Sequence, residues 1–173
     1  MKLAAVVLSV LALSVGVSAQ GSAAKGKAKS GITATLTNLG CSTSAGTDSF
    51  EVHAWSWGAS NPVDLIGGGG GAGKVSVSDF NVQRGFDACS PALFGAVATG
   101  KAFQTLTLTQ ANQDGTATTV TLTDVRVASW QASGSTASES AAESVSFAFS
   151  KVCLVDGASG GKFCYDLKLG KTF

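Results

Sequence analysis

The chain has 173 residues, four cysteines and a formal charge of +1, and only 13% of its side chains are charged, about half the usual globular share. That balance gives no electrostatic handle on nucleic acid or anionic lipid. The length suits a single domain with a real core.

Lys2, the apolar run from Leu3 to Val17 and the small residues Val17-Ser18-Ala19 read as a cleavable export signal over residues 1–19. The run is shorter than the roughly 20 residues that span a bilayer. Its removal, which takes Lys2 with it, leaves 154 residues of formal charge zero. The reading predicts a periplasmic or secreted protein with no membrane attachment after cleavage. Gln20 to Ser30, QGSAAKGKAKS, has no apolar periodicity and reads as a flexible arm before a domain spanning 31–173.

Alternation of apolar and polar residues dominates the rest. Ile32 to Leu39, Ser49 to Trp57, Lys74 to Gln83, Phe103 to Ala111, Ala117 to Trp130, Glu143 to Val155 and Lys162 to Leu169 are predicted strands, rich in Val, Thr, Phe and Trp. The apolar phase changes after Val77 and again after Leu122, which predicts a bulge or sharp twist near Asp79 and Asp124. Asp114-Gly115 marks a hairpin, and Ala132 to Ala142 a polar loop. Ser90-Pro91 predicts an N-cap and first helical turn, with Leu93, Phe94 and Val97 on one stripe and Gly100 as the left-handed stop. The fold class is therefore all-β with one short helix.

In an exported chain four cysteines suggest two disulfides, with zinc the competitor; there is no Cys-x-x-Cys pair, and the single histidine, His53, is distant in sequence. Placing Cys153 opposite Cys164 sets Lys151 against Asp166, Val152 against Tyr165 and Leu154 against Phe163. Each pairing suits cross-strand neighbours. Cys41 and Cys89 are left as the second pair, pinning the first loop to the start of the helix.

Residues 67 to 74, GGGGGAGK, imitate a phosphate-binding loop. Such a loop needs a helix N-terminus after it and a hydroxyl after the lysine. Here Val75 follows Lys74, and Val75-Ser76-Val77-Ser78 alternates as a strand, so nucleotide binding is excluded. The glycines supply backbone freedom. Val63, Leu65 and Ile66 just before them form an apolar group on a loop, of the kind that meets another chain.

Trp55-Ser56-Trp57-Gly58, the run Gly67 to Lys74 with Val75, and Ser90-Pro91 before a helix ending Gly100-Lys101 occur in one order. Thr121 to Val125, Glu143 to Phe147 and Tyr165 to Leu169 continue it. Over roughly residues 50 to 169 this order resembles the Hcp family, the tube proteins of type VI secretion systems. The resemblance implies a compact β-barrel of two sheets with a flanking helix. It further implies self-association into homo-hexameric rings that stack into a hollow tube, fired by a contractile sheath and able to carry small effector proteins in its lumen. The counterpart of the loop that reaches the neighbouring ring is Gly58 to Gly73, which makes Asn61, Val63, Leu65, Ile66, Gly70 and Lys74 the candidate ring-stacking residues. Two features depart from the family pattern. Its members are normally cytoplasmic until fired and carry no cleavable signal, and the first strand, ending Leu39-Gly40-Cys41, matches poorly.

No catalytic site, metal or cofactor is predicted. His53 shares a face of its strand with Glu51, Trp55 and Trp57 by alternation, and no Gly-x-Ser-x-Gly elbow accompanies it. Apolar residues on both faces of that strand make Trp55 and Trp57 either part of an internal contact or a subunit interface. The alternative to an exported Hcp-like tube protein is a monomeric secreted binding module, an adhesin or carbohydrate-binding sandwich using Trp130 or the Trp55/Trp57 pair as a stacking platform.

Overall fold

A computed structural model of the chain describes residues 31–62, 74–138 and 140–173. The predicted signal (1–19), the arm (20–30) and the loop residues 63–73, including Val63, Leu65, Ile66 and Gly70, lie outside the described residues. In chain order the elements are β1 (Gly31–Leu36), β2 (Ser42–Thr43), β3 (Gly46–Thr47), β4 (Ser49–Val52), β5 (Ala54–Ser56), β6 (Ala59–Ser60), β7 (Ser76–Val77), β8 (Phe80–Gly85), α1 (Ser90–Thr99), β9 (Ala102–Ala111), β10 (Ala117–Ser133), β11 (Ala142–Ala148), β12 (Lys151–Asp156), β13 (Lys162–Asp166) and β14 (Lys171–Thr172).

Ten of the strands hydrogen-bond as one bent antiparallel sheet, and β10, with 17 residues, is its spine. The first half of β10 pairs with β9 on one side and β12 on the other, and its second half pairs with β11. One wing is thus β4-β1-β9-β10-β12-β13-β14 and the other β10-β11-β8-β5. Folding one wing over the other buries Leu36, Leu106, Leu108, Val120 and Leu122 against Phe80, Val82, Val145 and Phe147. Chains that alternate apolar and polar residues close into such two-layered barrels because each wing has one apolar face to hide.

The bend falls at Asp124, whose φ is +55°. Before it Val120 and Leu122 are buried, after it Val125 and Val127. β9 changes phase at the same level, from Leu108 and Leu106 to Phe103, so the pairing stays in register from Thr123–Thr105 to Val125–Phe103. The Ser150 hydroxyl donates to Asp124 Oδ2 at 2.6 Å and holds the corner. A further bulge separates Val127 from Ser129 against β11. The phase change at Asp79 is not a bulge within a strand but the break between β7 and β8, which belong to different sheets.

Two predicted strands are divided at corners. Glu143 to Val155 is not one strand: Phe149 and Ser150 separate β11 from β12, which pair with opposite halves of β10. Ser49 to Trp57 is interrupted at His53, where the chain leaves β1 and joins β8. At both corners the apolar phase changes, from Phe50 and Val52 to Trp55 and Trp57 and from Val145 and Phe147 to Val152 and Leu154, although neither corner carries a glycine or proline.

Helix α1 lies against β10. Its N-cap is Cys89 rather than Ser90, whose hydroxyl instead accepts the N–H of Asp87 at 2.9 Å. Gly100 ends it at φ +64°, a conformation that costs glycine little. Leu93 and Ala96 form the buried stripe, and Phe94 is not on it: that ring is 55% exposed.

Disulfides join Cys41 to Cys89 and Cys153 to Cys164. The first ties the loop after β1 to the start of α1. The same loop is held by Asp48, whose carboxylate accepts the backbone N–H groups of Gly40 at 2.7 Å, Asn38 at 3.0 Å and Cys41 at 3.4 Å. Those bonds, that from Gly40 foremost, keep its carboxyl below the usual carboxylate range. In the last hairpin Lys151 faces Asp166, Val152 faces Tyr165, Cys153 faces Cys164 and Leu154 faces Phe163.

Candidate assembly surfaces

The glycine loop springs from a two-stranded ribbon. β6 pairs with β7 through Ala59–Val77 and Ser60–Ser76. Ser78 fastens its base: the hydroxyl accepts the Gly58 N–H at 2.9 Å, and its backbone N–H donates to the Gly58 carbonyl at 2.9 Å. Of the predicted ring-stacking residues, Asn61 and Lys74 are exposed at the two sides of this ribbon's end. Val63, Leu65, Ile66 and Gly70 lie between them in sequence. Among the described residues Lys74 is followed by β7 and not by a helix.

Trp55 and Trp57 do not share the face of Glu51. The interruption at His53 resets the alternation, so Phe50 and Val52 point inward before it and Trp55 and Trp57 after it. The Trp55 ring stacks on Phe80 with centroids 5.5 Å apart, and its Nε1 donates to Gln110 Oε1 at 2.9 Å. Trp57 meets Phe149 edge-on at 6.1 Å. Both are half-buried against the core, so internal packing accounts for much of each ring. His53 is exposed and, with Glu51, Thr43 and Asp87, lines an open depression of about 200 Å³.

Among the described residues the large exposed apolar side chains fall into two groups. Phe86 (45% exposed) and Phe94 (55%) flank the half-buried Trp130, at 6.5 and 5.3 Å between ring centroids. Phe163 (55%), Leu169 (64%) and Phe173 (64%) are on or beside the C-terminal hairpin, where Phe163 stacks on Tyr165 at 6.4 Å. Alternation hid Phe163, because an apolar residue on the core-facing phase of a strand reads as core even where no second layer covers it, whereas Phe86 lies between β8 and α1 and Phe94 on the helix.

Beneath the first group lies a buried ion network that sequence reasoning missed. Arg84 and Glu143 have fully buried side chains, with Nη1 2.9 Å from Oε1, and the Arg84 guanidinium also meets Asp87. These contacts are ion pairs whose alignment falls short of hydrogen bonds, and Arg84 Nε has no partner among the described residues. The guanidinium stacks 4.3 Å above the Phe50 ring. Trp130 Nε1 donates to Glu143 Oε2 at 2.9 Å, so the network also sets the angle of the exposed aromatic group. Arg84 stands one residue past the predicted strand Lys74 to Gln83 and Glu143 at the start of its own, and only the pairing of β8 with β11 brings them together.

A β-barrel with one helix and two separate exposed aromatic groups offers surfaces for contact with other chains. The family profile described as "Type VI secretion system effector, Hcp" matches residues 30–154, and the chain belongs to that family. Among solved structures it is similar to a type six secretion system protein (TM-score 0.72, 26% identity, covering 83% of this chain and 99% of the other). It is also similar to Hcp1 from Salmonella typhimurium (0.70, 27%, 83% and 99%). A type VI secretion system effector from Yersinia pestis, at 21% identity, TM-score 0.64 and coverage of 78% and 98%, shares the fold. No curated protein matches the sequence. The Hcp-like barrel expected from the sequence is thus the fold found, and the protein is an Hcp-type component of type VI secretion. Its two disulfides fit an oxidising compartment.

Proposed function

We propose that this chain is an exported, disulfide-stabilised subunit of homo-hexameric Hcp rings that stack into a hollow tube, entering the periplasm or the outside through a cleaved signal at residues 1–19. A structural role follows, with no catalytic part of its own. The observation that carries the reading is an Hcp barrel, matched over nearly the whole length of its relatives, that leaves two aromatic groups uncovered. An isolated domain rarely leaves this much aromatic surface open unless another chain meets it.

In this reading Asn61, Val63, Leu65, Ile66, Gly70 and Lys74 form the ring-to-ring contact, carried outward by the Ser78-fastened ribbon. The open parts of Trp55 and Trp57 face the neighbouring subunit within a ring. Small effector proteins are the partners of the lumen.

The test is negative-stain imaging of the exported, oxidised protein beside a Val63→Ser/Leu65→Ser/Ile66→Ser variant. Stacked rings from the first and single rings from the second are the expected result. Equal stacking in both would remove the loop from the contact.

A further inference from the structure

The two disulfides sit in opposite electrostatic settings. Cys89 is fully buried in the core, with Cys41 packed against it. Carboxylates hold both backbones: Asp48 Oδ1 accepts the Cys41 N–H at 3.4 Å, and Asp87 Oδ1 accepts the Cys89 N–H at 2.7 Å. Around this bridge Asp48, Asp87 and Glu143 against Arg84 and Lys101 leave a local charge of −1. Cys89 begins α1, whose first amides favour a thiolate, but burial acts the other way.

Cys153–Cys164 lies on the outward face of the C-terminal hairpin. Alternation puts Lys151 and Val155 on that face of β12 and Lys162 and Asp166 on that face of β13. Lys171 joins them from β14 as the partner of Asp166. Lys151 is paired with Asp166 at 3.4 Å, whereas Lys162 and Lys171 are exposed and make no ion pair among the described residues. These three lysines against one aspartate leave +2. The facing positions of β10 are the uncharged Thr119, Thr121 and Thr123. Asp156, on the opposite face, is held by its own turn through Ala158 and Ser159, and Lys168 turns to Asp124.

The two sulfurs of the hairpin are not equally open. Cys153 is half-buried, and the residue beside it on β10 is Thr121, a short side chain. Cys164 is 5% exposed, and Phe173, whose N–H donates to the Cys164 carbonyl at 3.4 Å, stands on its other side. An attacking thiolate approaches in line with the S–S bond. That line leads over Thr121 to Cys153 and over Phe173 to Cys164.

We infer that Cys153–Cys164 is an exchange site for small anionic thiols, opened by attack on Cys153, while Cys41–Cys89 is a permanent staple of the core. In the first step the incoming sulfur bonds to Cys153 Sγ, the S–S bond breaks, and its electron pair leaves on Cys164 Sγ among the lysines. A second thiolate attacks the small thiol's sulfur in the mixed disulfide and expels Cys153. Two small thiols are thereby oxidised to their disulfide, the bridge is reduced, and the protons the thiols lost end on the two cysteines. The lysines act twice, drawing an anionic thiol to the face and stabilising the charge on the leaving sulfur. This reactivity belongs to the single folded chain and does not depend on assembly.

The experiment exposes the folded, oxidised protein to excess glutathione, an anionic thiol, or to cysteamine, a cationic one. Samples are quenched at intervals with an alkylating reagent, and peptide masses locate the opened bridge. The ratio of opening rates at the two bridges cancels each thiol's own nucleophilicity. Glutathione should open Cys153–Cys164 roughly ten-fold or more faster than Cys41–Cys89, and the mixed disulfide should be found on Cys153. That preference should fall roughly three-fold or more with cysteamine, and likewise for glutathione in about 1 M salt. Lys162→Gln/Lys171→Gln should slow glutathione at the hairpin roughly three-fold and leave Cys41–Cys89 unchanged. Cys41–Cys89 opening first, both bridges opening together, or one site ratio for both thiols overturns the inference. So does a Cys153–Cys164 bridge that resists glutathione until the chain unfolds.

Discussion

Arg84 and Glu143 face each other across β8 and β11 with no solvent on either side chain, Nη1 2.9 Å from Oε1. Removing one partner of such a pair leaves a buried charge without its counter-ion. Glu143→Ala is therefore expected to cost about 3–5 kcal/mol of stability. Replacing both, as Arg84→Met/Glu143→Leu, should recover most of that loss. Urea unfolding of the three proteins checks it. A Glu143→Ala protein within about 0.5 kcal/mol of the parent would deny the pair its role.

The two disulfides close chain segments of different length, with sequence separations of 48 and 11. Loop entropy alone then assigns about 4 kcal/mol to Cys41–Cys89 and about 3 kcal/mol to Cys153–Cys164. Paired Cys→Ala variants should rank in that order in denaturant midpoint, and the reverse order would show that native-state packing, not chain entropy, sets their contribution.

Gly157 has no room for a side chain. A Cβ there would come 2.5 Å from the Ala117 carbonyl oxygen, which accepts the Gly157 N–H at 2.9 Å. Gly157→Ala is expected to cost about 1–3 kcal/mol. Gly134→Ala, whose new Cβ would lie 3.7 Å from Ala141 Cβ, should fall within about 0.5 kcal/mol of the parent. Thermal unfolding of both separates a local clash from a general intolerance of alanine.

Acid should destabilise the protein through its aspartates. Bonds from the Gly40 N–H to Asp48, from the Ser150 hydroxyl to Asp124 and from the Leu169 N–H to Asp166 lead the effects that lower these three pKa values. A carboxyl whose folded pKa is depressed contributes stability above its unfolded pKa, about 4, and loses it as pH falls through the folded value. Stability should therefore hold from neutral pH to about 5 and decline below about 4. Asp48→Asn should be less stable at neutral pH and show a shallower acid decline. A parallel decline in both proteins would remove Asp48 from the effect.

Much of this was legible in the residues. The hairpin pairing of Lys151 with Asp166 and Leu154 with Phe163 followed from charge and apolar matching, because cross-strand neighbours share a face. The bend at Asp124 followed from a change of apolar phase. What stayed hidden depended on tertiary context. The corners at His53 and at Phe149-Ser150 carry no glycine or proline; a change of apolar phase marks each, but Ala54 and Phe149 blur it, and reading through it put Trp55 and Trp57 on the face of Glu51. Phe94 sits one position off the helix stripe that Leu93 and Ala96 define. Phe163 has the inward phase of its strand, but the layer that would cover it is missing at that edge. Arg84 and Glu143 sit at the ends of two predicted strands, and nothing local joins them until β8 and β11 are paired.

Assembly is the central claim, and native mass spectrometry of the chain recovered after export measures it most directly. The expected spectrum shows the chain without residues 1–19, both disulfides formed, and six copies with stacked multiples. A single copy at every concentration would contradict the tube subunit and put a secreted, monomeric binding module with an Hcp barrel in its place.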